Sequence, residues 1–176
     1  MIPDNSASGT EAIRAATIVL CEPARRASHG DTARVTVSGW LRAQGWTIGD
    51  GVTIDFDAGE LSRAFGALRD RSDLLVVCGG TGIGARDIAP QTLETLCDFA
   101  IPGIGEMLRA GSLKHSLNSH LSRCGGYVSK GCLVLSIPGN AKAAIEQLEI
   151  LKHVLRHAID SVNGRCKNRR KTDSAT

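Results

Sequence analysis

Four glycines and an arginine–aspartate pair follow one apolar segment of the chain. The apolar segment 74–78 is bounded by Asp73 and Gly79, which predicts a strand that is buried on both faces. The glycines that follow are Gly79, Gly80, Gly82 and Gly84. Glycine tolerates positive φ and allows backbone N–H groups to approach a bound anion closely, so this loop predicts a phosphate site.

Arg86 and Asp87 come next, ahead of a predicted helix with Pro90 in its first turn. The N-terminus of that helix would add a positive dipole to the site. Because a carboxylate repels phosphate unless a metal ion bridges the two, Asp87 indicates a metal-dependent site. Taken alone, the same residues also suit a tight turn with a solvent-exposed ion pair between Arg86 and Asp87.

Composition indicates one globular domain with an aliphatic core. The chain has 176 residues, of which 42% are hydrophobic, 22% charged and only 3% aromatic. No apolar run approaches the ~20 residues that cross a bilayer, and the first fifteen residues contain no signal-peptide core. We therefore expect a cytoplasmic protein without a membrane segment.

The cysteines and the net charge each favour a simple interpretation. The six cysteines show no C-x-x-C spacing, which predicts small core residues in a reducing compartment rather than a disulfide or zinc framework.

Of the net charge of +3, the segment after Gly164 carries +4, so the body is close to neutral. This basic tail suits a nucleic-acid arm, but it has no interleaved aromatic residue, and a solvated tail without nucleic acid is the favoured interpretation.

Strands and helices alternate along the first half of the chain. Strands are predicted at 15–20, 46–55 and 74–78, and helices are predicted to begin at an Asp31-Thr32 cap, near Leu61 and at Pro90. This order predicts a doubly wound α/β fold, a mostly parallel sheet with helices on both faces. Ligands of such folds bind outside the carboxyl ends of the strands.

The second half adds a hairpin and a long helix. We predict a helix over 90–99, a second helix after Pro102 with Glu106 in its first turn, and strands at 125–130 and 132–137 joined at Gly131. Apolar residues then repeat at helical spacing to Val162, and Gly164 ends this helix. The predicted organisation is a disordered leader at 1–14, a single domain at 15–162 and a disordered basic tail at 163–176, so deletion of 165–176 is expected to leave stability unchanged.

The glycine loop has two possible relatives. Its sequence Thr81-Gly82-Ile83-Gly84 is similar to the glycine turn of the short-chain dehydrogenases, which also need a lysine four residues after a tyrosine. Here Lys130 comes three residues after Tyr127, and the loop follows the third predicted strand rather than the first. These differences argue against a dinucleotide site.

The second resemblance rests on four motifs in order. They are Gly79-Gly80-Thr81-Gly82-x-x-x-Arg86-Asp87, Pro102-Gly103-Ile104-Gly105-Glu106, Leu121-Ser122-Arg123 and Pro138-Gly139-Asn140-x-Lys142. Together they resemble the signature of the molybdopterin-binding family that includes Mog, MoaB and the G domain of gephyrin and its plant counterpart. The resemblance covers residues 15 to about 162.

The resemblance implies a trimeric enzyme that joins molybdopterin to AMP from ATP, with Mg2+, and releases pyrophosphate. It assigns catalysis and metal binding to Asp87 and Asp57, with Phe56 where the family usually has proline. It assigns ligand contacts to Gly79, Gly80, Thr81, Gly82, Glu106, Ser122, Arg123, Pro138, Gly139, Asn140 and Lys142. We also expect Gly139 and Asn140 to offer hydrogen-bond donors on the same sheet edge as the glycine loop.

Several residues depart from the family pattern. The usual S-D-R after the first strand is replaced by Cys21-Glu22-Pro23-Ala24-Arg25, and Ala33, Ala89 and Ala141 replace a glycine, a threonine and a proline. No proposed metal ligand is lost. The departures nevertheless keep open a second hypothesis, a relative that binds or scaffolds the pterin without adenylylating it.

Overall fold

The computed structural model describes residues 12–165, which form a six-stranded sheet between two layers of helices. The strands are β1 Arg14–Leu20, β2 Thr47–Ile54, β3 Leu74–Cys78, β4 Phe99–Ile101, β5 Gly125–Ser129 and β6 Cys132–Ile137. Their order across the sheet is β2-β1-β3-β6-β5-β4. Neighbouring strands from β2 to β6 are parallel, and β5 is antiparallel to both β6 and β4. The predicted doubly wound, mostly parallel fold is confirmed.

The helices divide between the two faces of the sheet. They are α1 Asp31–Ala43, α2 Ala58–Arg69, α3 Ala89–Leu96, α4 Pro102–Ser112 and α5 Ala141–Val162. Buried residues of α1, α4 and α5 pack on one face, and those of α2 and α3 pack on the other. All five residues of β3 are fully buried and alternate between the two cores, as expected for a central strand covered on both sides.

Local structure differs from the sequence prediction at three places. The helix predicted to reach residue 99 ends at Leu96, because the chain turns there to pair with β5 as the edge strand β4. Asp31 lies inside α1 instead of capping it, since a helical turn over Arg26–Gly30 runs directly into that helix. Glu106 falls in the second turn of α4, because this helix begins at Pro102.

The hairpin and the end of the long helix agree with prediction. Lys130 and Gly131 have φ values of 46° and 82°, so they form the tight turn between β5 and β6. Gly164 has a φ of 68° directly after α5, as expected for a helix-ending glycine.

The amino-terminal edge of the sheet is held together by Asp73. This carboxylate accepts hydrogen bonds from the backbone N–H of Arg14 at 2.8 Å, from Arg14 Nη2 at 3.2 Å and from Arg165 Nη2 at 3.1 Å. Burial alone would raise the pKa of Asp73, but the hydrogen bonds and charges of the two arginines outweigh it and lower that pKa.

The ordered body extends past both predicted boundaries. Ile13 is fully buried and Arg14 belongs to β1, although both were assigned to the leader. At the other end, Arg165 contacts the body through Asp73, contrary to the expectation that nothing after Gly164 packs on it. Residues 1–11 and 166–176 lie outside the described part of the chain, so their disorder stays a prediction.

Five of the cysteines lie within residues 12–165, and all five are free thiols. Burial raises the pKa of Cys78 and Cys132 to about 12, which keeps both thiols protonated and unsuited to bind metal. Among residues 12–165, no helix has the length and apolar character that a membrane crossing requires.

Candidate functional site

The glycine loop leaves β3 at the carboxyl edge of the sheet. Gly79 and Gly80 adopt φ values of 102° and 65°, which other residues rarely do. A Cβ on Gly79 would lie 2.7 Å from the carbonyl oxygen of Leu20, so the loop can cross the end of β1 only as glycine. Gly82 has no positive φ, but it leaves room for the carboxylate of Asp87, because a Cβ there would lie 2.7 Å from Oδ2 of Asp87.

Four consecutive N–H groups of this loop lack a hydrogen-bond partner in the described part of the chain. The N–H of Gly79 donates to Ile137 O at 2.9 Å, but no group in residues 12–165 accepts from the N–H groups of residues 80–83. Gly80 and Thr81 are buried. Buried N–H groups are almost always paired, and successive N–H groups in a turn form an anion-binding nest, so this row of donors suits a phosphate.

Arg123 binds the carbonyl groups of the same loop and of the residue Asp87 that follows it. Its backbone N–H donates to Thr81 O at 2.8 Å, its Nε donates to Gly82 O at 2.7 Å, and its Nη2 donates to Asp87 O. Ser122, the neighbouring predicted site residue, turns its hydroxyl toward Cys124, with 2.8 Å between Oγ and Sγ. The predicted motif at 121–123 therefore lies against the loop, but in this structure the Arg123 guanidinium bonds loop carbonyls.

The turn at 138–140 lies beside the loop, on the predicted edge. A Cβ on Gly139 would lie 3.1 Å from Cα of Gly79, so the two turns touch through glycine. Asn140 accepts a hydrogen bond from the N–H of Ala143 at 3.1 Å and caps α5, so its side-chain oxygen is an acceptor within the helix. The positive end of this 22-residue helix, with exposed Lys142 in its first turn, thus begins next to the glycine loop.

The two predicted metal-binding carboxylates each keep one oxygen without a partner among residues 12–165. Asp87 Oδ2 accepts the N–H of Gly84 at 2.8 Å, and Asp57 Oδ1 accepts the N–H of Glu60 at 2.8 Å and so caps α2. Neither carboxylate forms an ion pair with another residue of the described chain. Carboxylate oxygens are the protein ligands that Mg2+ prefers, so both residues suit a metal that also binds phosphate. A ready-made cluster of three or more metal-ligating side chains is absent from residues 12–165.

Arg86 does not pair with Asp87. Its Nη1 lies 2.5 Å from Glu22 Oε1, its Nη2 lies 3.2 Å from Asp55 Oδ1, and its guanidinium lies 5.1 Å from the ring centre of Phe56. Asp55 directly follows β2, Glu22 is the second residue after β1, and neither was among the predicted site residues. Their position after strands was the available signal, since the carboxyl ends of parallel strands meet at one edge.

Glu106 is the predicted site residue with the least connection to this edge. It is exposed on α4 and, together with α5, lines an open groove of about 450 Å³ whose other walls include Ile104, Met107 and Leu151. It has no hydrogen bond or ion pair with another residue among 12–165. The role of Glu106 in ligand binding therefore stays a prediction.

Comparison with known proteins identifies relatives of the whole fold. A family profile described as "Probable molybdopterin binding domain" matches residues 4–157. The chain is 29% identical to a "Molybdenum cofactor biosynthesis bifunctional protein" of Synechococcus elongatus over 92% of this chain and 51% of that protein. It is 36% identical to a "Molybdopterin adenylyltransferase" of Helicobacter pylori over 52% of each. The chain thus spans about half the length of these curated relatives.

Solved structures with the same fold carry related names. The molybdopterin biosynthesis enzyme MoaB of Thermus thermophilus superposes with a TM-score of 0.77 and 27% identity, covering 86% of this chain and 97% of that one. The molybdopterin biosynthesis Mog protein of Mycobacterium ulcerans gives a TM-score of 0.78 at 27% identity, covering 88% and 99%.

Proposed function

Since this chain belongs to the molybdopterin-binding domain family of molybdenum cofactor biosynthesis, we propose that it is a molybdopterin adenylyltransferase, a nucleotidyltransferase that uses ATP. The observation that carries the proposal is the row of N–H groups at residues 80–83, which have no partner among residues 12–165 and lie next to the carboxylate of Asp87. In the proposed reaction an oxygen of molybdopterin attacks the α-phosphorus of ATP. The bond from that phosphorus to the bridging oxygen of the β-phosphate breaks, and pyrophosphate leaves.

The protein groups at this edge match the charge that such a transfer develops. The N–H groups of residues 80–83 and the amino terminus of α5 would place partial positive charges beside the phosphates. Because these backbone groups are fixed by the fold, they would not have to reorganise during the reaction. Gly139 keeps the turn before α5 in contact with the glycine loop, because a Cβ at this position would lie 3.1 Å from Cα of Gly79. Ground-state binding and transition-state stabilisation then come from the same donors.

Asp57 and Asp87 would hold Mg2+, which when bound neutralises charge on the phosphates. The N–H of Gly84 orients the carboxylate of Asp87, and the amino terminus of α2 orients that of Asp57. Each carboxylate is fixed by backbone rather than by a flexible side chain, so its remaining oxygen has a defined direction. We also propose that the protein works as a homotrimer in the cytoplasm, and sedimentation velocity would test the oligomeric state.

A direct assay tests the proposal. The purified chain is incubated with ATP, Mg2+ and molybdopterin, and both pyrophosphate and adenylylated molybdopterin are quantified. We expect both products in equal amounts, and neither when molybdopterin or Mg2+ is omitted. Absence of both products from a folded protein that still binds molybdopterin would overturn the enzyme hypothesis.

That outcome would support the second candidate, a pterin-binding or scaffolding protein without catalysis. The observation that favours it is the altered loop after β1, where Glu22 holds Arg86. In such a protein, Arg86 would stay neutralised by Glu22 and Asp55 and would add no positive charge to the phosphate site.

A further inference from the structure

One arginine side chain binds both the glycine loop, at Gly82, and the backbone that follows it, at Asp87. Arg123 donates from Nε to Gly82 O at 2.7 Å and from Nη2 to Asp87 O, while its backbone N–H donates to Thr81 O at 2.8 Å. We infer that Arg123 is a positioning residue, which aims the loop N–H groups at a bound phosphate instead of contacting that phosphate with its own charge. The inference rests on the proposed phosphate site.

Peptide geometry connects these contacts to the direction of the donors. In a trans peptide, the C=O of one residue and the N–H of the next point to opposite sides. Arg123 binds the carbonyls of Thr81 and Gly82, so the N–H groups of Gly82 and Ile83 point away from it. Both belong to the row of N–H groups that has no partner within residues 12–165.

The fork of the guanidinium is what this position requires. One planar group bridges the carbonyls of Gly82 and Asp87, which lie at opposite ends of the turn 82–87. Within this turn, the N–H of Gly84 donates to the side chain of Asp87. A lysine carries the same charge but has a single nitrogen, which would not span both carbonyls. The contact to Asp87 O also fixes the backbone that carries the proposed metal-binding carboxylate.

A second arginine provides a matched control. Arg109 also binds two carbonyls with one guanidinium, Ser122 O at 3.4 Å and Cys124 O at 3.3 Å. It supports the segment that contains Arg123, but its hydrogen bonds within residues 12–165 do not reach the glycine loop. An effect confined to Arg123 therefore separates control of the loop from general support of this segment.

The experiment compares Arg123→Lys with Arg109→Lys by two measurements. The first is the NMR backbone order parameter of residues 80–87 in the ligand-free protein, and the second is the Kd of inorganic pyrophosphate with Mg2+. For Arg123→Lys we expect the order parameters to fall from about 0.85 to below about 0.6, and the Kd to rise about tenfold although the charge is kept. For Arg109→Lys we expect both quantities to stay within about twofold of the parent.

Two results would overturn the inference. One is a loop that stays as ordered in Arg123→Lys as in the parent, whether or not affinity falls, because a loss of affinity alone would mean that the fork contacts the ligand. The other is an equal disturbance by Arg109→Lys. If Arg123→Lys does not fold, Arg123→Gln, which keeps one donor group, replaces it in the same measurements. A parent protein that binds no pyrophosphate would refute the phosphate site, while the order parameters would still decide whether Arg123 positions the loop.

Discussion

The two edges of the central sheet use the same residue types in opposite ways. At the amino-terminal edge, Asp73 is 2% exposed and both of its oxygens accept hydrogen bonds from arginine. At the carboxyl edge, Asp57 and Asp87 each accept one backbone N–H and keep an oxygen that no group of the described chain contacts by a hydrogen bond. The buried, fully bonded carboxylate contributes to the fold, whereas the partly bonded ones are ready for a ligand.

Arginine shows the same contrast. Arg14 and Arg165 bind a buried carboxylate, where little water competes for the charges. Arg86 binds Glu22 and Asp55, whose side chains are 42% and 34% exposed, so solvent screens both contacts. We therefore expect changes at the first edge to alter stability and changes at the second edge to alter activity.

The largest effect is expected for Asp87→Asn. The change removes a charge that the proposed mechanism needs mainly in the transition state, so turnover should fall at least ~100-fold while molybdopterin binding stays close to that of the parent. Steady-state kinetics and a binding titration measure the two quantities. Full adenylylation by this variant would remove Asp87 from catalysis and would weaken the comparison of the two edges.

Asp73→Asn should have the opposite signature. It leaves the hydrogen bonds of Arg14 and Arg165 without a charged acceptor in a buried place, so we expect a loss of about 2 kcal/mol in the free energy of unfolding and unchanged ligand affinity. Urea denaturation and a pyrophosphate titration measure these two effects. A weakened site in a fully folded variant would show that the two edges are coupled.

The same aspartate predicts the response to acid. Because the pKa of Asp73 is lowered in the folded state, its contribution is present above the unfolded value of about 3.9 and is lost as pH falls through the lower, folded value. In urea denaturation, the free energy of unfolding of the parent should therefore decline below about pH 4. The decline should be smaller for Asp73→Asn. Parallel curves for the two proteins would exclude this carboxylate as a source of acid sensitivity.

A smaller effect is expected for Glu22→Gln. It removes one screened partner of Arg86, the residue next to Asp87, and leaves more of the Arg86 charge for the phosphate site, so turnover should rise about threefold with an unchanged thermal midpoint. Asp31→Asn is the matched control, because it breaks the similarly exposed ion pair with Arg34, away from the loop. Destabilisation by Glu22→Gln as large as that by Asp73→Asn would contradict the contrast between the edges.

The smallest effect concerns the carboxyl terminus. A chain that ends at Arg165 should unfold at the same temperature as the full chain, whereas a chain that ends at Gly164 should lose about 1 kcal/mol with the contact to Asp73. Differential scanning calorimetry of the two truncations checks this difference. Equal midpoints would restore the original expectation that the whole segment after Gly164 is dispensable.

Periodicity and turn chemistry predicted the fold well, and they predicted bonded contacts poorly. The apolar run before Gly79, the turn at Lys130 and Gly131, and the stripe of α5 are local patterns, and each gave the observed element. The edge strand β4 was missed, because its three residues are defined by pairing with β5 and not by their own pattern.

The motifs identified which segments form the site but not what each side chain does there. Arg123 was assigned to the ligand from its motif, and only the folded chain shows it bonded to three loop carbonyls. Glu22 and Phe56 were noted only as departures, and both contact Arg86 across long sequence separations. Contacts of this kind depend on tertiary packing, which a single sequence does not report.

The hydrogen bond between the N–H of Gly79 and Ile137 O indicates when the site forms during folding. During synthesis, the glycine loop leaves the ribosome well before β6, which must dock on β3 before Gly139 can reach Gly79. Closing so long a connection is slow relative to local helix formation. The phosphate cradle is therefore among the last parts of the chain to be completed. A ligand that binds only the completed cradle would stabilise the fully folded chain and raise its melting temperature by mass action.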